Sequence, residues 1–304
     1  MIDKQAVYSA DSDFPSTGSV RRDGRAHGAA QQPIPYSVLL GVYHNDKPDD
    51  FGTALESLLN QTVPTDDIVL VIDGPISGEL AEVVTRFIDD YPQIHPIWLP
   101  DNVGQGRAFN QALPLCRHEI VLRMDADDIS APNRAEKQLE FLQDHPEVDL
   151  VSTALAEFSG TPDQIKTIKR VPTAHQQIVR YARRWNPINQ PSAAFKKSAV
   201  LDVGGYQHFP RHEDYHLWVR MLAAGKIAAN IDEPLLYYRL SPENLDRRRK
   251  GPAYRGAVAF HLWKHKIGFA GWADTIWMIA LMTIIRIMPG PIYRLIYHLK
   301  RRNA

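Results

Sequence analysis

The sequence predicts an α/β fold: a mostly parallel central sheet flanked by helices, followed by a C-terminal helical extension. Two observations carry this. Ser37 to Tyr43 and Ile68 to Ile72 are continuous apolar runs, the pattern of strands buried on both faces. Between such runs, apolar residues recur at helical spacing. Alternating strands and helices build parallel sheets, with ligands at the carboxyl ends of the strands.

Taken in order, the first strand is followed by a helix with Phe51, Leu55, Leu58 and Leu59 on one face. The second strand stops at Asp73-Gly74-Pro75, and Leu80, Val83, Val84, Phe87 and Ile88 mark the next helix. His95 to Leu99 reads as a third strand, and Phe109, Ala112 and Leu113 as a third helical face. Glu119 to Met124 is a fourth strand that runs into an acidic loop. The second half is less regular. Strands are expected at Asp149 to Ala154, Ser192 to Phe195 and Leu235 to Leu240, with a helix over Glu213 to Ala224.

The 304 residues divide into a disordered tail over 1–35, a main domain over 36–240 and a helical extension over 241–304. The 35 basic and 35 acidic residues cancel, and no nucleic acid is expected as a partner. Their distribution is uneven: from Ser241 onward, twelve Lys and Arg face three Asp and Glu. A basic tail on an acidic body fits contact with an anionic surface such as lipid. Thr275 to Ile285 carries no charge, but a spanning helix needs about 20 apolar residues. Trp272, Trp277, Tyr293 and Tyr297 accompany the two apolar stretches, the second being Ile292 to Leu299 before Lys300-Arg301-Arg302. A helix in a membrane interface and a pair of helices packed on the domain are both compatible with this pattern. Cys116 is the one cysteine, so no internal disulfide forms, and a reducing compartment fits. The first 35 residues lack the apolar stretch of a secretory signal.

The acidic loop is Asp125-Ala126-Asp127-Asp128. Carboxylates at the end of a rigid strand can hold Mg²⁺ or Mn²⁺, and such a cation stabilises a departing diphosphate. The plainer reading makes Asp128 and Ser130 caps of the helix after Pro132, which accounts for one acidic residue but not three. Asp73 likewise has two readings, a ligand-facing carboxylate at a strand end or a turn residue before Gly74. Gly104 and Gly106 allow close backbone approach, but no third glycine completes a dinucleotide fingerprint.

Met124 to Arg134 resembles the metal loop of family-2 glycosyltransferases, which have a GT-A fold. Four other stretches match that family in order: Val38 to Asn45, Ser57 to Thr62, Val71 to Gly74, and Asn102 to Asn110. The resemblance runs from Tyr36 to Leu240, with a donor half over 36–130 and an acceptor half over 131–240. It implies an inverting transferase using a nucleotide-sugar donor, with UDP expected, and a glycan or lipid-linked acceptor in bacterial surface polysaccharide synthesis. It places the enzyme in the cytoplasm, peripheral to the inner face of the plasma membrane. It implies that Tyr43, Asp73 and Arg107 bracket the nucleotide. Asp125 and Asp127 are implied to meet the donor ribose-diphosphate, and Asp125, Asp127 and Asp128 the metal.

His212-Glu213-Asp214-Tyr215-His216-Leu217-Trp218 resembles the family's Glu-Asp pair before a Leu-Trp helix. The carry-over makes Asp214 the catalytic base and Glu213 its assistant. A base is needed because a sugar hydroxyl attacks poorly until its proton is accepted. The same stretch satisfies the zinc-hydrolase pattern HExxH, which leaves the five ordered motifs unexplained. A nucleotidyltransferase and a non-catalytic sugar-binding subunit are further alternatives. The chain departs from many relatives in carrying Gln190 in place of His, and in lacking a His after Arg239. Arg239 and the Arg247 to Lys250 run are candidates for added positive charge near the diphosphate.

Overall fold

The computed structural model describes residues 34–209, 211–240 and 251–288. The expected tail up to Pro33, the Arg247 to Lys250 run and the Ile292 to Leu299 segment lie outside the described residues. The first half alternates strictly: β1 (Tyr36–Val42), α1 (Pro48–Leu59), β2 (Ile68–Asp73), α2 (Gly78–Asp90), β3 (Ile94–Leu99), α3 (Gln105–Ala112) and β4 (Ile120–Met124). The second half has β5 (Ile129–Ser130), α4 (Arg134–Asp144), β6 (Leu150–Phe158), β7 (Ile165–Lys169), α5 (His175–Ala182), β8 (Ala194–Lys196), α6 (Lys197–Asp202), α7 (Glu213–Ala223) and β9 (Ala228–Arg239). Helices α8 (Gly251–Lys266) and α9 (Trp272–Ile287) follow.

One sheet runs in the order β3-β2-β1-β4-β8-β6-β9-β5, with β7 added on β6. Its parallel part is β3-β2-β1-β4, where each crossover passes through a helix. Beyond β4 the pairing is mixed: β8 is antiparallel to β4 and β6, and β9 is parallel to β6. Val42 pairs with Ile72, Leu40 with Met124, and Asp73 with Leu99. The carboxyl ends of β1, β2 and β4 therefore share one edge, and Tyr43, Asp73 and Asp125 leave from it.

Both faces of the sheet are covered. Val38, Leu40 and Val42 join Phe51, Leu55 and Leu80 on one side. Leu39, Val69 and Val71 join Phe109, Trp218 and Phe260 on the other. This is why the first strands read as unbroken apolar runs rather than alternating ones. Helix α1 starts on Pro48 with Asp49 and Asp50 in its first turn, where carboxylates complement the dipole. Ser77 caps α2 by accepting from Leu80 N–H.

Strand β9 starts well before the expected Leu235, and its ladder with β6 slips around Ala154 and Pro234. Proline cannot donate to a ladder, so it sits at that irregularity. Strands β5 and β7 escape sequence reading: one has two residues, and the other exposes most of its side chains.

Helix α8 buries Phe260 in the second core. Its Lys264 is fully buried, donating to the carbonyls of Ala182 and Arg183 and to Tyr215 Oη at 3.2, 2.8 and 2.9 Å. Helix α9 meets α8 through Tyr254 Oη and Thr283 Oγ1, 2.8 Å apart. Its other face is apolar and open: Trp272, Ile276, Trp277, Ile284 and Ile287 are 44–75% exposed. Among the described residues, no helix is long and apolar enough to cross a membrane.

Candidate active site

Strand β4 delivers the acidic loop. Arg123, wholly buried in that strand, donates from Nη2 to Asp125 Oδ1 at 2.6 Å and lies over the Phe109 ring at 4.1 Å. Gln105 Nε2 reaches the same oxygen at 3.2 Å, and Gln190 Nε2 reaches Gln105 Oε1 at 3.3 Å. Asp125 is thus aimed by residues of β4 and α3, with Gln190 bracing Gln105 from behind. Gln190 stays in the site as a link to the glycine loop.

Asp128 is fully buried. Its Oδ1 accepts the Arg239 backbone N–H at 2.9 Å, while Oδ2 is enclosed without a hydrogen-bond partner. Neither Asp128 nor Ser130 caps the following helix: α4 begins after Asn133 with no side-chain cap, and Ser130 belongs to β5. The helix-entry reading of the loop is therefore set aside.

Asp127 is partly exposed. Burial pushes its carboxyl up to about 6, and neighbouring Asp125 and Asp50 push in the same direction. Asp46, which sequence reasoning missed, accepts Tyr43 N–H at 2.9 Å. Burial carries it up to about 7, aided by Asp127 and Asp125. The only sequence signal was its place in the polar turn after β1.

Arg239 balances part of this charge. Its Nη2 sits 3.1 Å from Asp50 Oδ1, its Nε donates to the Asp127 carbonyl at 2.9 Å, and it lies over Phe158. It acts as a brace between β9, α1 and the acidic loop.

Among the described residues, no three His, Cys, Asp or Glu side chains form a ready metal cage. Mg²⁺ and its analogues are commonly held by one or two carboxylates, with water and substrate phosphates completing the shell. Asp125 and Asp127 fit that role. Their mutual repulsion is charge that a cation would relieve. Asp128, enclosed behind them, is placed to fasten the loop.

Asp73 ends β2 with both carboxylate oxygens engaged. Oδ1 accepts Val103 N–H at 2.8 Å, and Oδ2 accepts Gly104 N–H at 3.0 Å. It pins the glycine loop. Gly74 is required beside it: φ is +84°, and a Cβ would fall 2.5 Å from Asn102 N. Arg107 stands exposed in the first turn of α3, and Tyr43 is partly exposed after β1.

Helix α7 brings the second constellation to the same place. A Cβ on Gly106 would lie 3.2 Å from Glu213 Cγ, so α3 and α7 abut there. Asn186 Nδ2 donates to Asp214 Oδ2 at 2.8 Å. Burial raises the Asp214 carboxyl above its ordinary value, opposed by Tyr215 N–H, His212 and Asn186, and Asp125 adds to the rise. Burial also raises Glu213. The acidic loop and the Glu-Asp pair therefore act on each other electrostatically.

The HExxH pattern forms no zinc centre among the described residues. His216 packs 4.2 Å from the Trp263 ring and close to Phe209, with Nδ1 enclosed and unbonded. Burial, helped by Arg220, holds it neutral down to about 4. Its surroundings are aromatic core.

A mostly parallel sheet with acidic residues at its carboxyl edge and a Glu-Asp helix opposite is the arrangement of a glycosyltransferase of the GT-A type. The family model for glycosyl transferase family 2 matches residues 37–204, more than half of the chain, and the chain belongs to that family. It is 35% identical to an amylovoran biosynthesis glycosyltransferase, AmsE of Erwinia amylovora, over 88% of this chain and all of the relative. It is 33% identical to an Escherichia coli UDP-Gal:alpha-D-GlcNAc-diphosphoundecaprenol beta-1,3-galactosyltransferase, over 86% of this chain and 94% of the relative. A Pyrobaculum calidifontis mannosyltransferase solved with GDP-Man and Mn²⁺ shares the fold at TM-score 0.56 and 16% identity, over 88% of this chain and 81% of that one. So does S. aureus TarS 1-349 with UDP-GlcNAc, at TM-score 0.56 and 16% identity, over 74% of this chain and 65% of that one.

Proposed function

We propose that this enzyme transfers a sugar, with inversion, from a UDP-sugar to a lipid-linked glycan acceptor in surface polysaccharide synthesis. The observation that carries the reading is the convergence on α3, where Gln105 donates to Asp125 at 3.2 Å and the adjacent Gly106 abuts Glu213, so a donor-side carboxylate and the Glu-Asp pair meet at one place. The E. coli relative, whose name specifies UDP-Gal and a diphosphoundecaprenol acceptor, supports the donor and acceptor classes.

In this reading, Tyr43 and Arg107 flank the nucleotide, while Asp73 holds the glycine loop in place beside it. Asp125 and Asp127 would hold Mg²⁺ or Mn²⁺ together with the donor. The ion's chemistry there is charge stabilisation of the leaving diphosphate. Asp214 accepts the proton of the attacking hydroxyl at a carboxylate oxygen, and Asn186 orients that carboxylate. Glu213 assists from the preceding position. Attack from the side opposite the leaving group inverts the anomeric carbon. The exposed apolar face of α9 supports a peripheral place on the inner face of the membrane.

A thermal-shift series with nucleotide sugars tests the donor assignment, because stabilisation follows affinity. UDP-sugars with Mn²⁺ should raise Tm, and EDTA should abolish the shift. No shift with any nucleotide sugar and Mn²⁺ would overturn the reading.

A further inference from the structure

A cavity of about 490 Å³ is lined in part by Arg180, Tyr181, Arg183, Arg184, Trp185 and Asp274. Three guanidinium groups share it with one carboxylate. Asp274 Oδ1 is taken by Arg184 Nε at 2.6 Å. Arg180 and Arg183 have no acidic partner among the described residues. Gathering like charges is unfavourable without an anion, and forked guanidinium donors suit phosphate oxygens.

The cavity wall continues into two other features. Asn186, which holds the Asp214 carboxylate, lies two residues beyond Arg184. In the other direction, Arg184 stacks on Trp277 at 5.0 Å, and Trp185 meets the same ring edge-on at 6.0 Å. Trp277 belongs to the exposed apolar face of α9, with Ile276, Ile284 and Ile287. Positive charge and an open apolar stripe thus meet at Trp277, and the same chain segment leads on to the residue that holds the base.

We propose that the Arg180-Arg183-Arg184 cavity holds the diphosphate of a lipid-linked acceptor, while the α9 stripe takes the first part of its hydrocarbon chain. The sugar next to that diphosphate then presents its hydroxyl to Asp214. The donor diphosphate belongs at the carboxylate edge of the sheet, so the two diphosphates occupy separate places. The proposal deepens the reading of the enzyme as a transferase with a lipid-linked acceptor, and rests on it.

The test compares the full-length wild type with Arg180→Ala/Arg183→Ala, whose replaced side chains are exposed. Farnesyl diphosphate, inorganic pyrophosphate and farnesol are titrated separately, and the thermal shift with UDP-sugar and Mn²⁺ is recorded alongside. Farnesyl diphosphate should bind wild type more tightly than either fragment, and the double variant should bind it about tenfold or more weakly with the donor shift unchanged. Unchanged farnesyl diphosphate binding in the double variant overturns the cavity assignment. Pyrophosphate binding as tightly as farnesyl diphosphate overturns the lipid half. A stripe buried in a dimer, seen as a mass that halves in Ile276→Ser, overturns it as well. Loss of the donor shift in wild type marks a failure of the functional reading instead.

Discussion

The carboxylate of Asp128 accepts the backbone N–H of Arg239 at 2.9 Å, tying the acidic loop to the last strand of the sheet. The side chain of Arg239 completes the tie by holding Asp50 and the Asp127 carbonyl. Asp128 sits well above its ordinary pKa because burial and the neighbouring Asp127 and Asp125 all disfavour its charge. A neutral side chain with one accepting oxygen is therefore sufficient at that position.

Asp128→Asn should fold with a Tm near wild type and keep its Mn²⁺ response. Asp128→Ala, which leaves the Arg239 N–H without its acceptor, should cost about 1–3 kcal/mol. Urea unfolding of both variants checks this. A stable Asp128→Asn protein that no longer responds to Mn²⁺ would make Asp128 a direct ligand.

Asp127→Ala removes a carboxylate assigned to the cation while leaving the Asp128 tie intact. Donor stabilisation should lose its dependence on Mn²⁺, and transfer should fall by at least about a hundredfold, the scale of losing one electrostatic stabiliser. The comparison is a Mn²⁺ titration monitored by donor binding.

The raised pKa of Asp214 moves the acid limb of the rate profile to higher pH than an ordinary aspartate would give, since only the ionised form accepts a proton. The Asn186 hydrogen bond favours that ionised form. Asn186→Ala should therefore shift the acid limb of kcat to higher pH, while donor binding stays unchanged. A purely structural role for Asn186 would lower kcat without moving the limb.

His216 and His261 are held neutral by burial down to about 4 and about 3, with Arg220 and Lys264 adding to the effect. Unfolded histidine takes its proton near pH 6.5. Below that pH the unfolded chain protonates these two histidines and the folded one does not, so their contribution lowers stability from about pH 6.5 toward pH 4. Asp46 and Asp127, raised to about 7 and about 6, bind protons in the folded chain first and work the other way, so the histidine effect is read by comparison: Tm of His216→Met should gain on wild type as pH falls from 6.5 to 4.

Much of the donor side was legible in the sequence. The runs around Leu39 and Val71 are apolar throughout because both sheet faces are covered, and each ends at the carboxyl edge of the sheet, at Tyr43 and Asp73. Asp125 and Asp127 were candidates because they crowd the loop directly after a buried strand, and Asp214 because the His212 to Trp218 stretch resembles the family's Glu-Asp helix. Less visible were groups whose role comes from distant partners. Arg123 looks like an interruption in a buried strand until Asp125 and Phe109 lie beside it. Asp73 reads as a free carboxylate until Val103 and Gly104 donate to both its oxygens. Lys264 gives no local sign that it joins α8 to Tyr215, and Arg180 and Arg183 read as ordinary surface charge until the cavity gathers them.

The central claim is that Asp214 is the base of an inverting transfer, and Asp214→Asn tests it most directly. Sugar transfer from UDP-donor to membrane lipid should fall by about a hundred- to ten-thousandfold. The variant should keep its donor thermal shift with Mn²⁺, and the residual product should have the inverted anomeric configuration. A folded Asp214→Asn enzyme that transfers at the wild-type rate would contradict the account.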